Sequence, residues 1–182
     1  MKPAIALVET NSIAQGVLVG DAMVKKANVQ LYEARSICPG KYMVLVGGEV
    51  GPVEESYREG IAVAQDTLVD QLFLPNAHPG IFPALMSAMP PGGGEALGII
   101  ETVTAAVCIV AADAAAKAAE IRLMEIRLAN GLGGKSFVLL EGDVSNVEAA
   151  MQAGVKPASQ EGLLVRSVII PQLHRDMRDK IL

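Results

Sequence analysis

Aromatic residues are scarce in this chain of 182 residues, which has no tryptophan, three tyrosines and three phenylalanines. Basic residues are outnumbered as well, and the net charge is −5 at neutral pH. A nucleic-acid-binding surface usually presents basic side chains and rings that stack on bases. The composition therefore argues against a nucleic-acid partner.

Long apolar runs are also missing. The most apolar stretch, 103–119, is interrupted by Asp113 and Lys117 and falls short of the ~18 apolar residues of a membrane span. The apolar run near the N-terminus is interrupted by Glu9, too early for a signal peptide. We therefore predict a cytoplasmic protein with no membrane partner. In that compartment the two cysteines are expected to be free thiols or metal ligands, not a disulfide.

What the chain does contain is an internal repeat. Segment 4–10 returns as 96–102, and segment 21–27 returns as 113–119. The offset between equivalent residues is 92 at the start of the repeats (96 minus 4) and 96 at the pair His78 and His174 (174 minus 78). Such growth is expected for two homologous domains with small loop insertions. We predict a first domain at 1–88, a linker at 89–95 and a second domain at 96–182.

Each repeat predicts the order strand, helix, strand, strand, helix, strand, short helix. Ser12 and Thr104 are predicted to cap the first helix of their repeats. The fold class is therefore α+β, with helices packed on one face of a sheet in each domain. The predicted strands are 4–8, 29–37, 41–46, 68–74, 121–128, 136–140 and 163–170, and the second helix of each repeat is 53–65 or 147–154.

The chain shows no pattern of an active site. The segment 130–136 resembles a phosphate-binding loop, but the first required glycine is Ala129, and the loop joins two strands instead of entering a helix. His78 and His174 stand at equivalent places and are expected to be architectural, as are Glu9 and Glu101. No nucleophile, base and oxyanion donor come together, so we predict that the protein is not an enzyme.

Apolar residues make up 51% of the chain, which is high for two small domains with much surface to cover. We expect the excess to be buried between subunits. A chain with internal pseudo-symmetry often assembles into a ring. Lys25 and Lys117, near the ends of equivalent helices, are either solvated lysines that favour the helix dipole or contacts at a subunit edge.

The two cysteines have different surroundings in the sequence. Cys108 lies inside an apolar helix and is expected to be a small core residue. Cys38 lies at the tip of a hairpin, before Pro39 and Gly40, where a core role is not expected. One cysteine holds no metal alone, but three copies around a three-fold axis could offer three thiolates to a zinc ion or an iron–sulfur cluster.

Four motifs together resemble the bacterial microcompartment shell domain: Glu-Thr after the first strand, Asp-x-x-x-Lys-x-Ala in the first helix, Gly-Lys after the hairpin loop, and Pro-x-x-His near the end of each repeat. The hairpin segment 36–41, Ser-Ile-Cys-Pro-Gly-Lys, is specific, and it is similar to the trimer-forming tandem type of the propanediol-utilisation microcompartment. The resemblance covers almost the whole chain.

The resemblance implies a homotrimer that forms a pseudohexagonal disc and tiles with other shell proteins around enclosed enzymes. It also implies one 4Fe–4S cluster per trimer on the three-fold axis, held by Cys38 of each chain, with redox enzymes of the lumen or cytosol as possible partners. Lys25 and Lys117 match the family's edge lysine, while Asn76 and Gln172 replace its edge arginine. The implied pore-lining residues are Cys38, Pro39, Gly40, Lys41, Gly131, Leu132, Gly133 and Gly134.

Three functions follow from these patterns. The first is a shell tile whose pore cluster transfers electrons across the shell. The second is a plain structural tile with a metabolite-conducting pore, in which Cys38 is incidental or binds zinc. The third is a pair of ferredoxin-like sensor domains that bind a small ligand at subunit clefts and never form sheets.

Overall fold

The computed structural model describes residues 4–86, 89–90, 92–178 and 180–181, and it divides into two compact units. The first unit contains the chain up to Ala77 together with 129–134, and the second contains 78–128 and the chain from Lys135 onwards. The predicted domain limits Met1, Ala88 and Leu182 lie outside the described residues. The division into 1–88, 89–95 and 96–182 stays a prediction.

The first unit is a four-stranded antiparallel sheet covered by two helices. Its sheet order is β2-β3-β1-β4. Alternate residues of β1, namely Ala4, Ala6 and Val8, pack into the core beneath the helices. The elements are β1 (Ala4–Thr10), α1 (Ile13–Lys26), β2 (Gln30–Ile37), β3 (Lys41–Gly48), α2 (Val50–Ala64), a 3₁₀ turn (Gln65–Thr67) and β4 (Leu68–Leu74).

The second unit repeats this architecture and adds one helix from the end of the first repeat. Its sheet order is β6-β7-β5-β8. The added helix α3 contacts β6 and α4. The elements are α3 (Ile81–Met86), β5 (Ala96–Thr102), α4 (Ala105–Ala118), β6 (Arg122–Leu128), β7 (Ser136–Gly142), α5 (Val144–Gln160), β8 (Leu164–Ile170) and α6 (Arg175–Arg178).

Irregularities of the two sheets confirm the duplication. The pairing of β1 with β4 shifts between Glu9 and Thr10, and the pairing of β5 with β8 shifts between Glu101 and Thr102. Register shifts also occur at equivalent places in β2 and β6, after Leu31 and Leu123. The predicted α+β class and the hairpins joined at 38–40 and 129–135 are therefore confirmed.

Small residues let the helices approach the sheet closely. A methyl group placed on Gly16 of α1 would lie 2.4 Å from Cβ of Tyr42 in β3. The predicted N-cap of α1 is correct, since Ser12 Oγ accepts a hydrogen bond from the Gln15 amide at 3.3 Å. The cap of α4 is wrong: Thr104 is at the N-cap position, but its side chain makes no capping hydrogen bond.

The second helix of each repeat is longer than predicted. The helix α2 begins at Val50 instead of 53, and α5 runs from Val144 to Gln160 instead of 147–154. Proline is tolerated in a first helical turn, because the amide it lacks has no helical partner there, so Pro52 does not delay α2. In α5 the helix continues through Pro157 and buries Ala158 in the core.

Candidate functional site

The first candidate loop is the tight turn between β2 and β3. The strands pair up to Ile37 and Lys41, which leaves three residues, Cys38, Pro39 and Gly40, to make the turn. All three are exposed, and the peptide bond between Cys38 and Pro39 is cis. The structure therefore confirms that Cys38 lies on the surface at the tip of a hairpin, where its thiol is accessible to a metal.

The equivalent loop of the second repeat lies against this turn. Residues 129–134 belong to the first compact unit. At Gly134 a methyl group would lie 2.8 Å from the carbonyl oxygen of Cys38, and the φ angle of +93° is one that favours glycine. Gly131 and Gly133 are exposed, while Leu132 is half-buried. The structure thus brings together residues of both predicted pore loops.

Lysines that follow the loops are paired with glutamates of the central strands. Lys41 Nζ forms an ion pair with the fully buried Glu9, and Lys135 Nζ forms one with Glu101. Both pairs occupy equivalent places, so the expectation that Glu9 and Glu101 are repeated features of the fold is confirmed. The ammonium of Lys41 is therefore held by a buried carboxylate of its own unit.

The two thiols are chemically distinct. Cys108 is fully buried, and burial raises the pKa of its thiol from 9.0 to about 12, although a hydrogen bond with Thr102 lowers it slightly. Cys38 is exposed. Within the described part of the chain, no group of three or more His, Cys, Asp or Glu side chains is arranged to hold a metal ion.

The predicted edge residues lie near the C-terminal ends of α1 and α4 and after β4 and β8. Lys25 Nζ lies 2.6 Å from Asp21, and Lys117 Nζ lies 2.5 Å from Asp113. Asn76 and Gln172 are exposed. A contact of any of these four residues with a neighbouring molecule stays a prediction.

Both histidines shape local turns. The Nδ1 atom of His78 accepts a hydrogen bond from the Gly80 amide at 3.1 Å, and Nδ1 of His174 accepts one from the Asp176 amide at 3.3 Å. In addition, the backbone amide of His78 donates to Asp113 Oδ1 at 2.8 Å. These contacts support the architectural role that the sequence predicts.

The sequence analysis missed a buried carboxylate that holds the linker. Glu141 in β7 accepts hydrogen bonds from the Gly92 amide at 2.5 Å and the Gly94 amide at 3.3 Å. Its oxygens also lie 3.3 Å from Arg122 and 3.5 Å from Arg178. The first repeat gives no signal for this site, because its strand β3 has Gly47 at the corresponding place, opposite Gln30.

No helix of the described residues is long and apolar enough to cross a membrane. Two copies of one α+β unit, each with a hairpin loop at the equivalent place, define a tandem-repeat protein. The model of the BMC domain matches twice, at residues 4–77 and 96–173. The chain therefore belongs to the BMC-domain family of bacterial microcompartment shell proteins, which is structural and not enzymatic.

Known relatives agree with this membership over nearly the whole of this chain. The chain is 42% identical to the bacterial microcompartment shell protein PduT of Citrobacter freundii over 97% of this chain and 96% of that protein. It is 29% identical to the carboxysome assembly protein CcmO of Synechocystis over 96% of this chain and 63% of that protein. A crystal structure of a microcompartment protein from Desulfitobacterium hafniense matches with a TM-score of 0.90, 47% identity and coverage of 98% and 99%.

Proposed function

We propose that this shell protein is a homotrimeric tile whose central pore holds one 4Fe–4S cluster, bound by Cys38 of each chain, and that the tile passes electrons across the shell. The observation that carries the proposal is the position of Cys38. It is an exposed thiol at the tip of a tight hairpin, fixed in place by a second loop. The likeness to the shell protein PduT over nearly the whole chain supports a place in a microcompartment shell.

The residues present fit such a group in number and chemistry. One chain offers a single accessible thiol, because Cys108 is buried and its pKa is raised to about 12. Cysteine thiolates are the usual ligands of iron–sulfur clusters, so several chains would each contribute Cys38. A three-fold axis supplies three thiolates, which leaves one iron of a 4Fe–4S cluster for a small ligand.

The chain's own part is to position these thiols and to control their surroundings. Gly134 packs against the backbone of Cys38, and the ion pair between Lys41 and Glu9 anchors the start of β3 directly after the loop. When bound, a 4Fe–4S cluster accepts and releases one electron at a potential set by its hydrogen bonds and exposure. Enclosed redox cofactors would then be recycled without crossing the shell.

The first experiment is anaerobic purification of the wild type, Cys38→Ser and Cys108→Ala, with iron and sulfide measured per trimer. We expect about four irons and four sulfides in the wild type and in Cys108→Ala, and none in Cys38→Ser. The Cys108→Ala variant is the matched control, because it removes the thiol that the fold keeps from any ligand. The trimer should persist in all three proteins.

Two outcomes would contradict the proposed iron–sulfur cluster. Zinc in place of iron, lost in Cys38→Ser, would assign the thiols to a structural metal. No metal in any variant after reconstitution would leave the alternative function, a plain structural tile with a metabolite-conducting pore. The exposed glycines of the 129–134 loop would line such a pore.

A further inference from the structure

The second unit has a groove at a place where the first unit packs two aromatic rings. In the first unit, Tyr57 on α2 and Phe73 on β4 stack with their ring centroids 5.6 Å apart and pack against the core. The equivalent residues of the second unit are Met151 on α5 and Ile169 on β8, which are smaller and have no ring. A groove of about 550 Å³ lies beside them, between α5 and β8.

The floor of this groove is apolar, and Gly98 lets it lie deep. Gly98 is the strand partner of Ile169, and the first repeat has Ala6 at the equivalent place. A methyl group placed on Gly98 would lie 2.8 Å from Met151 Sδ, so the buried Met151 side chain takes the space of that methyl group. Half-buried Val155 and Ile169 also line the groove. An aromatic side chain is therefore the group that would bury the most apolar area there.

One wall of the groove is the edge of a sheet. The strand order β6-β7-β5-β8 leaves one side of β8 without a strand partner among the described residues. Ser167 and Val168 of this strand line the groove. An edge strand presents backbone N–H and C=O groups to any further strand, and extended peptides bind to such edges.

The other wall carries two opposite charges. Glu148 and Lys156 of α5 line the groove and are exposed, and neither forms an ion pair with another described residue. Eight residues of helix separate them, which is about 12 Å along the helix axis. In an extended strand, residues two and four positions apart point to the same face, and four positions span about 13 Å. The two charges therefore match the spacing of alternate residues in a strand.

We propose that this groove binds an extended segment of another protein, which pairs with β8 and has a basic, an aromatic and an acidic residue at alternate positions. A short turn joins α5 to β8, so the two elements run in opposite directions. Glu148 therefore lies towards the end of β8, and Lys156 lies towards its start. A segment antiparallel to β8 has its basic residue first, against Glu148, and its acidic residue last, against Lys156. The aromatic ring between them packs on Met151.

Two other occupants fit the groove less well. A free aromatic amino acid has its two charges only a few ångströms apart and does not span the about 12 Å from Glu148 to Lys156. The strand β8 of a second copy has one charged residue, Arg166, and no acidic or aromatic residue. It would bring a like charge to Lys156 and would leave the place of the ring empty.

Fluorescence anisotropy with two labelled peptides tests the proposal on the purified wild type. The first peptide is Thr-Thr-Lys-Thr-Phe-Thr-Glu-Thr-Thr, and the second has its Lys and Glu exchanged. We expect saturable binding of the first peptide, roughly fivefold tighter than that of the second, because two partly exposed ion pairs contribute modestly. In the double variant Glu148→Lys with Lys156→Glu the preference should reverse. Both side chains are exposed, so the fold should not change.

A variant that fills the groove is the matched control. Gly98→Ala with Met151→Tyr and Ile169→Phe gives the second repeat the residues of the first repeat at the equivalent places. The first peptide should bind this variant at least tenfold more weakly, with an unchanged circular dichroism spectrum. Two further peptides, N-methylated on alternate sets of backbone amides, test the strand pairing. Methyl groups that face β8 should abolish binding to the wild type, and those that face solvent should not.

Four results would overturn the proposal. The first is no saturable binding of the first peptide by the wild type, and the second is an unchanged preference in the charge-exchanged variant. The third is equal binding of both N-methylated peptides, which would exclude pairing with β8. The fourth is displacement of the first peptide by an equal concentration of phenylalanine amide, which would assign the groove to a small aromatic ligand. If the wild type binds no peptide and Ser167→Cys in a Cys38→Ser background forms disulfide-linked copies, the occupant is a second copy.

Discussion

At the scale of single residues, the two thiols of this chain lie in opposite environments. Cys108 is a buried residue of the apolar helix α4, and its thiol stays protonated. Cys38 is exposed on a turn. Both positions could be predicted from the sequence. Cys108 has only apolar neighbours, while Cys38 lies next to Pro39 and Gly40, which are typical of a turn.

The raised pKa of Cys108 predicts a pH dependence of stability. An unfolded chain releases this proton above about pH 9, but the folded chain holds it up to about pH 12. The wild type should therefore lose stability as the pH rises from 9 to 12, and Cys108→Ala should lose less over the same range. Urea unfolding of both proteins at pH 8 and pH 10.5 measures the difference. Equal losses would contradict the buried, protonated thiol.

At the scale of elements, the order and type of every strand and long helix could be predicted, but not all of the boundaries. Pro52 is compatible with the first turn of a helix that begins at Val50, and packing of Ala158 in the core accompanies the continuation of α5 through Pro157. The linker site could not be predicted, because Glu141 and Gly92 are 49 residues apart and no spacing rule joins them. Only the fold brings them together.

The approach of the two hairpin loops is tested by alanine at two glycines. In Gly131→Ala the new methyl group lies in open space, and only the positive φ angle is unfavourable. The free energy of unfolding should therefore fall by about 1 kcal/mol. Gly134→Ala also meets the Cys38 carbonyl oxygen, so it should cost at least about 2 kcal/mol and reduce bound iron. Chemical denaturation and iron analysis measure both effects. Equal costs for the two variants would show that the loops are not in contact.

The buried carboxylate of the linker is tested by Glu141→Gln. This change removes the charge that faces Arg122 and Arg178 and should lower the free energy of unfolding by about 2 kcal/mol. Cleavage between 89 and 95 by a nonspecific protease should become faster. Glu33→Gln is the control, because its pair with Arg35 is half-exposed and should contribute less than about 1 kcal/mol. Unchanged proteolysis of Glu141→Gln would contradict the anchoring role.

At the scale of the whole molecule, duplication lets one chain carry two versions of the same surface. The first repeat supplies the cysteine loop, and the second supplies a glycine-rich loop at the equivalent place. A ring of identical single domains would place six equal loops at its centre. In the trimer proposed above, the tandem chain would instead place three thiols there, the ligand number that a site-differentiated iron–sulfur cluster needs from the protein.

Substitution of Lys25 and Lys117 should leave trimer formation intact but prevent the tiling of trimers into sheets. The side chains of Lys25 and Lys117 are 72% and 42% exposed, and each forms an ion pair with an aspartate one helical turn away. Because both side chains reach into solvent, the double variant Lys25→Ala with Lys117→Ala should keep the mass of the proposed trimer. Electron microscopy should show extended sheets for the wild type and none for the double variant. Lys156→Ala serves as a control on a different helix. Sheets that persist in the double variant would remove both lysines from the tile edge.

The most direct test of the central claim is the native mass of the protein purified without oxygen. Three chains joined by Cys38 around one cluster predict the mass of a trimer plus roughly 350 Da, and the extra mass should be absent in Cys38→Ser. A trimer with no added mass after reconstitution with iron and sulfide would contradict the cluster. Any other number of chains would contradict the three-fold pore on which the whole proposal depends.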